Sequence, residues 1–204
     1  MSTSPPTVAL LPGSIRASSL HRRLAHVLGR GLAERGIEVG LVDLVDYPMP
    51  IYHGDEEAGA GTPRAARALH DHLAGFDGIV ILSPEYNGGP SPLLKNAIDW
   101  VTRVDRSTLR RPLVGFAATS PGSRGAVHGL ALLRSIGEHM RLRLAAADFS
   151  LPDGANAMES TVDGWRLVSD ADARRLDDWL DDYASLLHRH RAEPAVSGEG
   201  GMER

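Results

Sequence analysis

Two stretches of the chain carry polar residues at spacings that suit chemistry, and each stands directly behind a short apolar run. The first is Gly13-Ser14-Ile15-Arg16-Ala17-Ser18-Ser19, after the apolar run Thr7 to Leu11 and before a stripe of leucines. Its glycine permits a tight turn, Ser14 and Ser19 supply hydroxyls, and Arg16 brings a planar cation that meets phosphate oxygens two at a time. A helix starting at once behind this turn would add unpaired amides and partial positive charge, so the natural occupant is an anion. Neither Gly-x-Gly-x-x-Gly nor Gly-x-x-x-x-Gly-Lys-Ser/Thr follows the apolar run. That removes the two common nucleotide loops and favours a single terminal phosphate, such as that of a mononucleotide.

The second stretch runs from Ser83 to Trp100 and reads Ser-Pro-Glu-Tyr-Asn-Gly-Gly-Pro-Ser-Pro-Leu-Leu-Lys-Asn-Ala-Ile-Asp-Trp. Gly88 and Gly89, with Pro84, Pro90 and Pro92, fix an extended loop whose backbone can come close to a flat ligand; Tyr86 offers an aromatic face and Asn87 an amide. Other chemistries lose ground. The chain has no cysteine, so thiolate zinc sites, iron-sulfur clusters, disulfides and cysteine nucleophiles are excluded, and redox work would need a borrowed cofactor. Serines and histidines abound, but there is no Gly-x-Ser-x-Gly elbow to pair Ser14, Ser83 or Ser120 with a histidine such as His128. His70 and His72, like His188 and His190, stand two apart on helical patterns, about 200° around the axis, so neither pair shares a metal and none is expected. Lys and Arg number 22 against 26 Asp and Glu, for a formal charge of −4, which argues against nucleic acid as a partner.

The elements that must position these stretches follow from periodicity. Thr7–Leu11 reads as a strand buried on both faces; Leu20, Leu24, Val27, Leu28 and Leu32 make one helical stripe, capped by Ser18 or Ser19 and ended by Gly36. Ile37 to Leu44 reads as a second strand, and residues 46–61, rich in Pro and Gly, as a long loop. Thr62-Pro63 opens a helix through Ala66, Leu69 and Leu73. Phe76 to Ser83 is a third strand, Ser91-Pro92 opens a helix through Val101, and Pro112 to Thr119 is a fourth strand. A helix from Ala126 to Met140, a weaker strand from Leu142 to Phe149 and a last helix starting at Ser169 complete the set. With 204 residues, 42% of them apolar, one domain over residues 1–190 is the expectation, with a tail at 191–204 too polar to order itself. Five buried strands alternating with helices require a parallel sheet covered on both faces, with ligands beyond the C-terminal strand ends. No apolar run is long enough to span a bilayer, and Met1 to Pro6 shows no secretory signal, so neither a membrane nor export is expected and a cytoplasmic location is.

Taken with these positions, the two strings make the chain resemble the NADPH-dependent FMN reductase family, which includes quinone, chromate and azo-dye reductases. Its signatures are a Gly-Ser-x-Arg-x-x-Ser turn after strand one and a Pro-Glu-Tyr-Asn loop leading into Leu-Lys-Asn-Ala-Ile-Asp-Trp after strand three, and both stand here. The resemblance implies a flavodoxin-like three-layer α/β sandwich, a five-stranded parallel sheet in the order 2-1-3-4-5 with helices on both faces. It implies that Ser14, Arg16 and Ser19 hold the phosphate of FMN, that Pro84, Glu85, Tyr86, Asn87 and Gly88 border the ribityl chain and isoalloxazine, and that Ser120 and Gly122 lie near the flavin. His21 departs from the family, which usually has Asn there; a histidine in the first helical turn would donate to the phosphate with a strength that depends on pH. The activity implied is transfer of hydride from NADPH or NADH through FMN to a quinone, free flavin, azo compound or similar small acceptor, with no side chain needed as an obligatory acid or base. Arg124 and the 46–61 loop are candidates for contacting the nicotinamide cofactor or a neighbouring subunit, and a homodimer or homotetramer is implied. A flavodoxin, an electron carrier without nicotinamide turnover, is the alternative, although its Thr-x-Thr-Gly-x-Thr turn is absent.

Overall fold

The computed structural model describes residues 4–192. Strand β1 (Thr7–Pro12) leads through the serine turn to helix α1 (Leu20–Glu34), and β2 (Glu38–Leu41) follows. Gly36, at φ 73°, ends α1: its amide bonds to the Ala33 carbonyl and that of Ile37 to the Leu32 carbonyl, a Schellman closure that a side chain at Gly36 would strain. After β2 come α2 (Gly54–Ala60) and α3 (Arg64–Leu73), then β3 (Gly78–Leu82), the two-residue strands β4 (Glu85–Tyr86) and β5 (Gly89–Pro90), and α4 (Pro92–Val104). Helix α5 (Ser107–Arg110) precedes β6 (Leu113–Thr119) and α6 (Val127–His139). The chain closes with β7 (Arg143–Leu144), β8 (Phe149–Leu151), α7 (Gly154–Ala157), the hairpin β9 (Met158–Thr161) and β10 (Gly164–Leu167), and α8 (Asp170–Ala192). No helix among the described residues is long and apolar enough to cross a membrane.

The sheet runs β2-β1-β3-β6-β7, all parallel, with β8 also beside β6. Period-two alternation builds two cores from the same strands. Val8, Leu10, Val80, Leu82, Leu113 and Ala117 face α1 and α8. Ala9, Leu11, Ile79, Ile81, Val114, Phe116 and Ala118 face α3, α4 and α6. Helix α8 lays Trp179 and Tyr183, stacked at 5.3 Å, over the strands. This close approach requires glycines beneath: a Cβ at Gly115 would lie 3.0 Å from the Tyr183 ring, and one at Gly78 would lie 2.5 Å from its hydroxyl. That hydroxyl donates to the Leu113 carbonyl (3.0 Å), and burial raises its pKa.

Three sequence expectations need correction. The 46–61 stretch contains α2, and it is held down: Asn96 accepts from the Tyr52 amide (2.8 Å), while Asn96 and Trp100 both donate to the Pro50 carbonyl (2.8 Å each). Pro and Gly density alone pointed to a loop because these anchors come from a helix far along the chain. The fifth strand is split into β7 and β8; between them Asp148 and the Ala145 carbonyl bond to Arg134 of α6. The hairpin β9–β10 had no counterpart in the sequence reading. Helix α8 continues to Ala192, two residues past the expected domain end; residues 193–204 of the expected tail lie outside the described residues.

Replacing Gly78 by alanine should therefore cost about 1–3 kcal/mol through overpacking against Tyr183 and Leu187. Urea unfolding monitored by tryptophan fluorescence measures it; an unchanged midpoint would mean that α8 lies farther from the sheet than described.

Candidate active site at the strand ends

Because β1, β3 and β6 are parallel neighbours, the segments that leave them, residues 13–19, 83–91 and 120–126, emerge at one edge of the sheet. Short hydrogen bonds join them. The Gly13 amide donates to the Leu82 carbonyl (2.7 Å), and the hydroxyl of Ser91, the N-cap of α4, donates to the Gly13 carbonyl (2.7 Å) while accepting from the Leu94 amide. A Cβ at Gly13 would sit 3.0 Å from that of Leu94, so the turn lies flush on the start of α4.

Within the first segment the Ser19 hydroxyl caps α1 by accepting from the Arg22 amide (3.4 Å). The amides of Ser14 to Ser18, and of Leu20 and His21 at the start of α1, have no protein acceptor among the described residues. Ser14 is 7% exposed, and its hydroxyl has no protein partner either. Arg16 is exposed and unpaired among the described residues. The free hydroxyl of Ser14, a run of free amides, a helix N-terminus and an exposed, unpaired guanidinium stand within one short turn, which is the donor set a phosphate monoester needs.

The second segment is a hairpin. Tyr86 pairs with Gly89, and Asn87 and Gly88 take positive φ (51° and 81°), the geometry of a type I′ turn that Asn-Gly adopts readily. Tyr86, Asn87 and Gly88 are exposed at its tip, whereas Pro84 is buried at its base. The Glu85 carboxylate turns away and accepts from the Gly129 amide (2.8 Å) in the first turn of α6, where a negative charge suits the helix dipole. The third segment is clamped from behind: the Gly154 amide donates to the Ser120 carbonyl, the Asp153 amide to the Gly122 carbonyl, and the Ser150 hydroxyl to the Gly125 carbonyl (2.8, 3.0 and 2.8 Å). The Ser120 hydroxyl itself donates to the Gly122 carbonyl (3.1 Å). Arg124 is exposed at the tip.

Of the residues singled out in the sequence, Ser14, Arg16, Ser19, Tyr86, Asn87, Gly88, Ser120 and Gly122 line the three converging segments. Two do not reach the site as expected. Glu85 serves α6, and His21 does not turn its ring toward the anion turn. The ring is buried, 5% exposed, with Nε2 accepting from the Thr119 amide (3.3 Å) and its other nitrogen bonded to the backbone of Ser83. Burial holds its pKa down at about 4, against the partial upward pull of the Ser83 bond. A position in the first helical turn suggested an outward side chain, but the helix enters directly above the ends of β3 and β6. Sequence reasoning also missed what Ser91, Asn96 and Trp100 do. The four-residue spacing of Asn96 and Trp100, which puts both on one face of α4, was the available signal. No serine–histidine pair forms here: the Ser83 hydroxyl donates to the Pro84 carbonyl and that of Ser120 to Gly122.

Comparison with known proteins follows the same lines. The model of a family described as NADPH-dependent FMN reductase matches residues 6–156. The chain is 31% identical over 189 residues to a 2-hydroxy-1,4-benzoquinone reductase of a Burkholderia species, covering 90% of this chain and 97% of that protein. It is 34% identical over 129 residues to a quinone reductase of Escherichia coli strain K12, covering 63% and 68% of the two chains. Among solved structures it resembles FerB, a flavoenzyme NAD(P)H:(acceptor) oxidoreductase from Paracoccus denitrificans, with a TM-score of 0.77 and 29% identity over 91% of this chain and 98% of that one.

Two outcomes follow from the geometry. Unfolded, His21 binds a proton below its ordinary 6.5; folded, it refuses one until about pH 4. Its stabilising contribution is therefore complete above pH 6.5 and is lost as pH falls to 4, by about 3 kcal/mol over the window. Urea unfolding at pH 7 and 4.5 should show that loss in the natural chain and not in His21→Asn. Replacing Asn96 by alanine should cost about 1–2 kcal/mol and speed amide exchange around Tyr52 without altering exchange in β3; protection unchanged at Tyr52 would disprove the clamp.

Proposed function

Since the chain belongs to the NADPH-dependent FMN reductase family, we propose that the strand-end site holds FMN, with Ser14, Arg16, Ser19 and the free amides of the first turn on its phosphate. The protein is an oxidoreductase that uses NAD(P)H and FMN to reduce small acceptors of the quinone or flavin type. The observation that carries the assignment of the site is the unpartnered donor set around Ser14, at the one edge where an exposed tyrosine and two further backbone segments also converge. Bound there, FMN would supply the two-electron hydride chemistry.

What the chain itself does is bind, orient and polarise. The Arg16 guanidinium and the N-terminus of α1 neutralise the phosphate. The rigid Asn87-Gly88 turn presents Tyr86 and backbone amides to a flat ring, and the amides of residues 122–124 offer donors where negative charge collects on reduction. The clamps from Ser150, Asp153 and Gly154 hold those donors in place before the reaction, so little reorganisation accompanies it. No side chain here is required to move a proton. The open edge leaves room for the two substrates to take turns, the order expected of a substituted-enzyme cycle. Arg124, exposed at this edge, is the candidate contact for the nicotinamide cofactor. Pairing into a homodimer or homotetramer is part of the proposal; Leu132, 47% exposed beside Gly89 of the hairpin, and Tyr86, 49% exposed on the same hairpin, are the apolar groups that support it. A cytoplasmic setting, where NAD(P)H is supplied, completes it.

The purified protein should show oxidised-flavin absorbance, lose it when NADPH or NADH is added without oxygen, and recover it on addition of a quinone. A flavin-loaded protein inert to both nicotinamides would leave only the flavodoxin-like carrier. Arg16→Ala should weaken FMN by about tenfold or more, as loss of a charge-assisted phosphate contact does, and leave riboflavin, which lacks the phosphate, almost unaffected. Equal losses for both flavins would remove Arg16 from the phosphate.

A further inference from the structure

Among the described residues, His21 is the one buried titratable group at the site that the proposed chemistry does not use. Its ring lies under the site rather than in it. Nε2 takes the amide hydrogen of Thr119, the last residue of β6, and the other ring nitrogen bonds to the backbone of Ser83, the residue after β3. Ser83 opens the second segment of the site and Ser120, next after Thr119, opens the third, while His21 itself sits in the helical turn that follows the first. One imidazole thus touches all three strand-to-loop transitions.

Thr119 is held from the far side as well. Its hydroxyl donates to the Leu151 carbonyl (2.8 Å), and a Cβ at Gly154 would lie 2.0 Å from that oxygen, so the strand end has no slack in that direction. Between the start of the 120–126 segment and α1, the imidazole supplies the hydrogen bond. Charged neighbours leave the ring undisturbed: Arg22 of α1 pairs with Asp43, Glu85 turns to the Gly129 amide, and Arg175 of α8 reaches the Ser150 carbonyl. The ring needs one acceptor and one donor nitrogen, which only the neutral form provides.

We propose that His21 is a positioning residue for flavin binding: its neutral imidazole, tied to Thr119 and Ser83, sets the spacing between the anion turn and the two backbone segments that border the flavin ring, without touching the phosphate. The inference rests on the FMN reading of the site. It differs from a phosphate role for His21 in a measurable way, because a spacer acts on the whole ligand whereas a phosphate contact acts only on a ligand that has a phosphate.

The test is to titrate FMN and riboflavin separately into flavin-free natural protein, His21→Asn and His21→Leu at neutral pH, following the quenching of flavin fluorescence. An asparagine amide offers an acceptor for the Thr119 amide and a donor for Ser83, so H21N should keep both affinities within about threefold. Leucine offers neither, and H21L should lose about tenfold or more for both flavins, as expected when two buried hydrogen bonds are removed. A leucine variant that binds both as well as the natural chain overturns the inference, as does one that loses FMN but keeps riboflavin. Loss of about tenfold in H21N also overturns it, which keeps the test decisive if H21L does not fold. A natural chain that binds neither flavin would defeat the FMN reading itself, a result separable from the variant comparisons.

Discussion

A parallel sheet sends every strand out at the same edge, and at that edge the ladder of hydrogen bonds stops while the chain still has amides to satisfy. In this protein β1, β3 and β6 end side by side, and helix α1 begins immediately above them. The rest of the site is a response to that constraint. Some of the freed groups are satisfied internally, as at Gly13, Thr119 and Gly122. Those of residues 14–18 are left outward for an anion.

The division between satisfied and free groups explains which side chains work at a distance. Glu85, His21, Ser91 and Ser150 all spend their polar atoms on backbone, each fixing a different loop to a different element. Asn96 and Trp100 do the same for the Pro50–Tyr52 segment. A signature string such as Leu-Lys-Asn-Ala-Ile-Asp-Trp therefore carries two kinds of information. Its first residue, Leu94, packs against Gly13 of the anion turn, and its later part secures a segment that belongs to another strand's connection.

Much of this was legible beforehand. Apolar runs located β1, β3 and β6, the Ser18-Ser19 pair marked the start of α1 to within a residue, and Ser91 marked that of α4, because burial on both faces and side-chain capping are local in sequence. The strings at the strand ends pointed to the site because their chemistry is contiguous. What stayed hidden depends on partners far along the chain. The inward turn of His21 needs Thr119, 98 residues away, and the rotation of Glu85 needs Gly129, 44 away. The break in the fifth strand goes with the bond of Arg134 to Asp148, and no periodicity in residues 142–149 announces it.

That break also bears on how the molecule meets its own copies. A sheet with a long free margin offers other chains a template for adding strands. Here one margin is β2, only four residues long, and the other is divided between two- and three-residue pieces. Neither presents an uninterrupted row of donors and acceptors, so templated strand addition and fibril growth find little to build on.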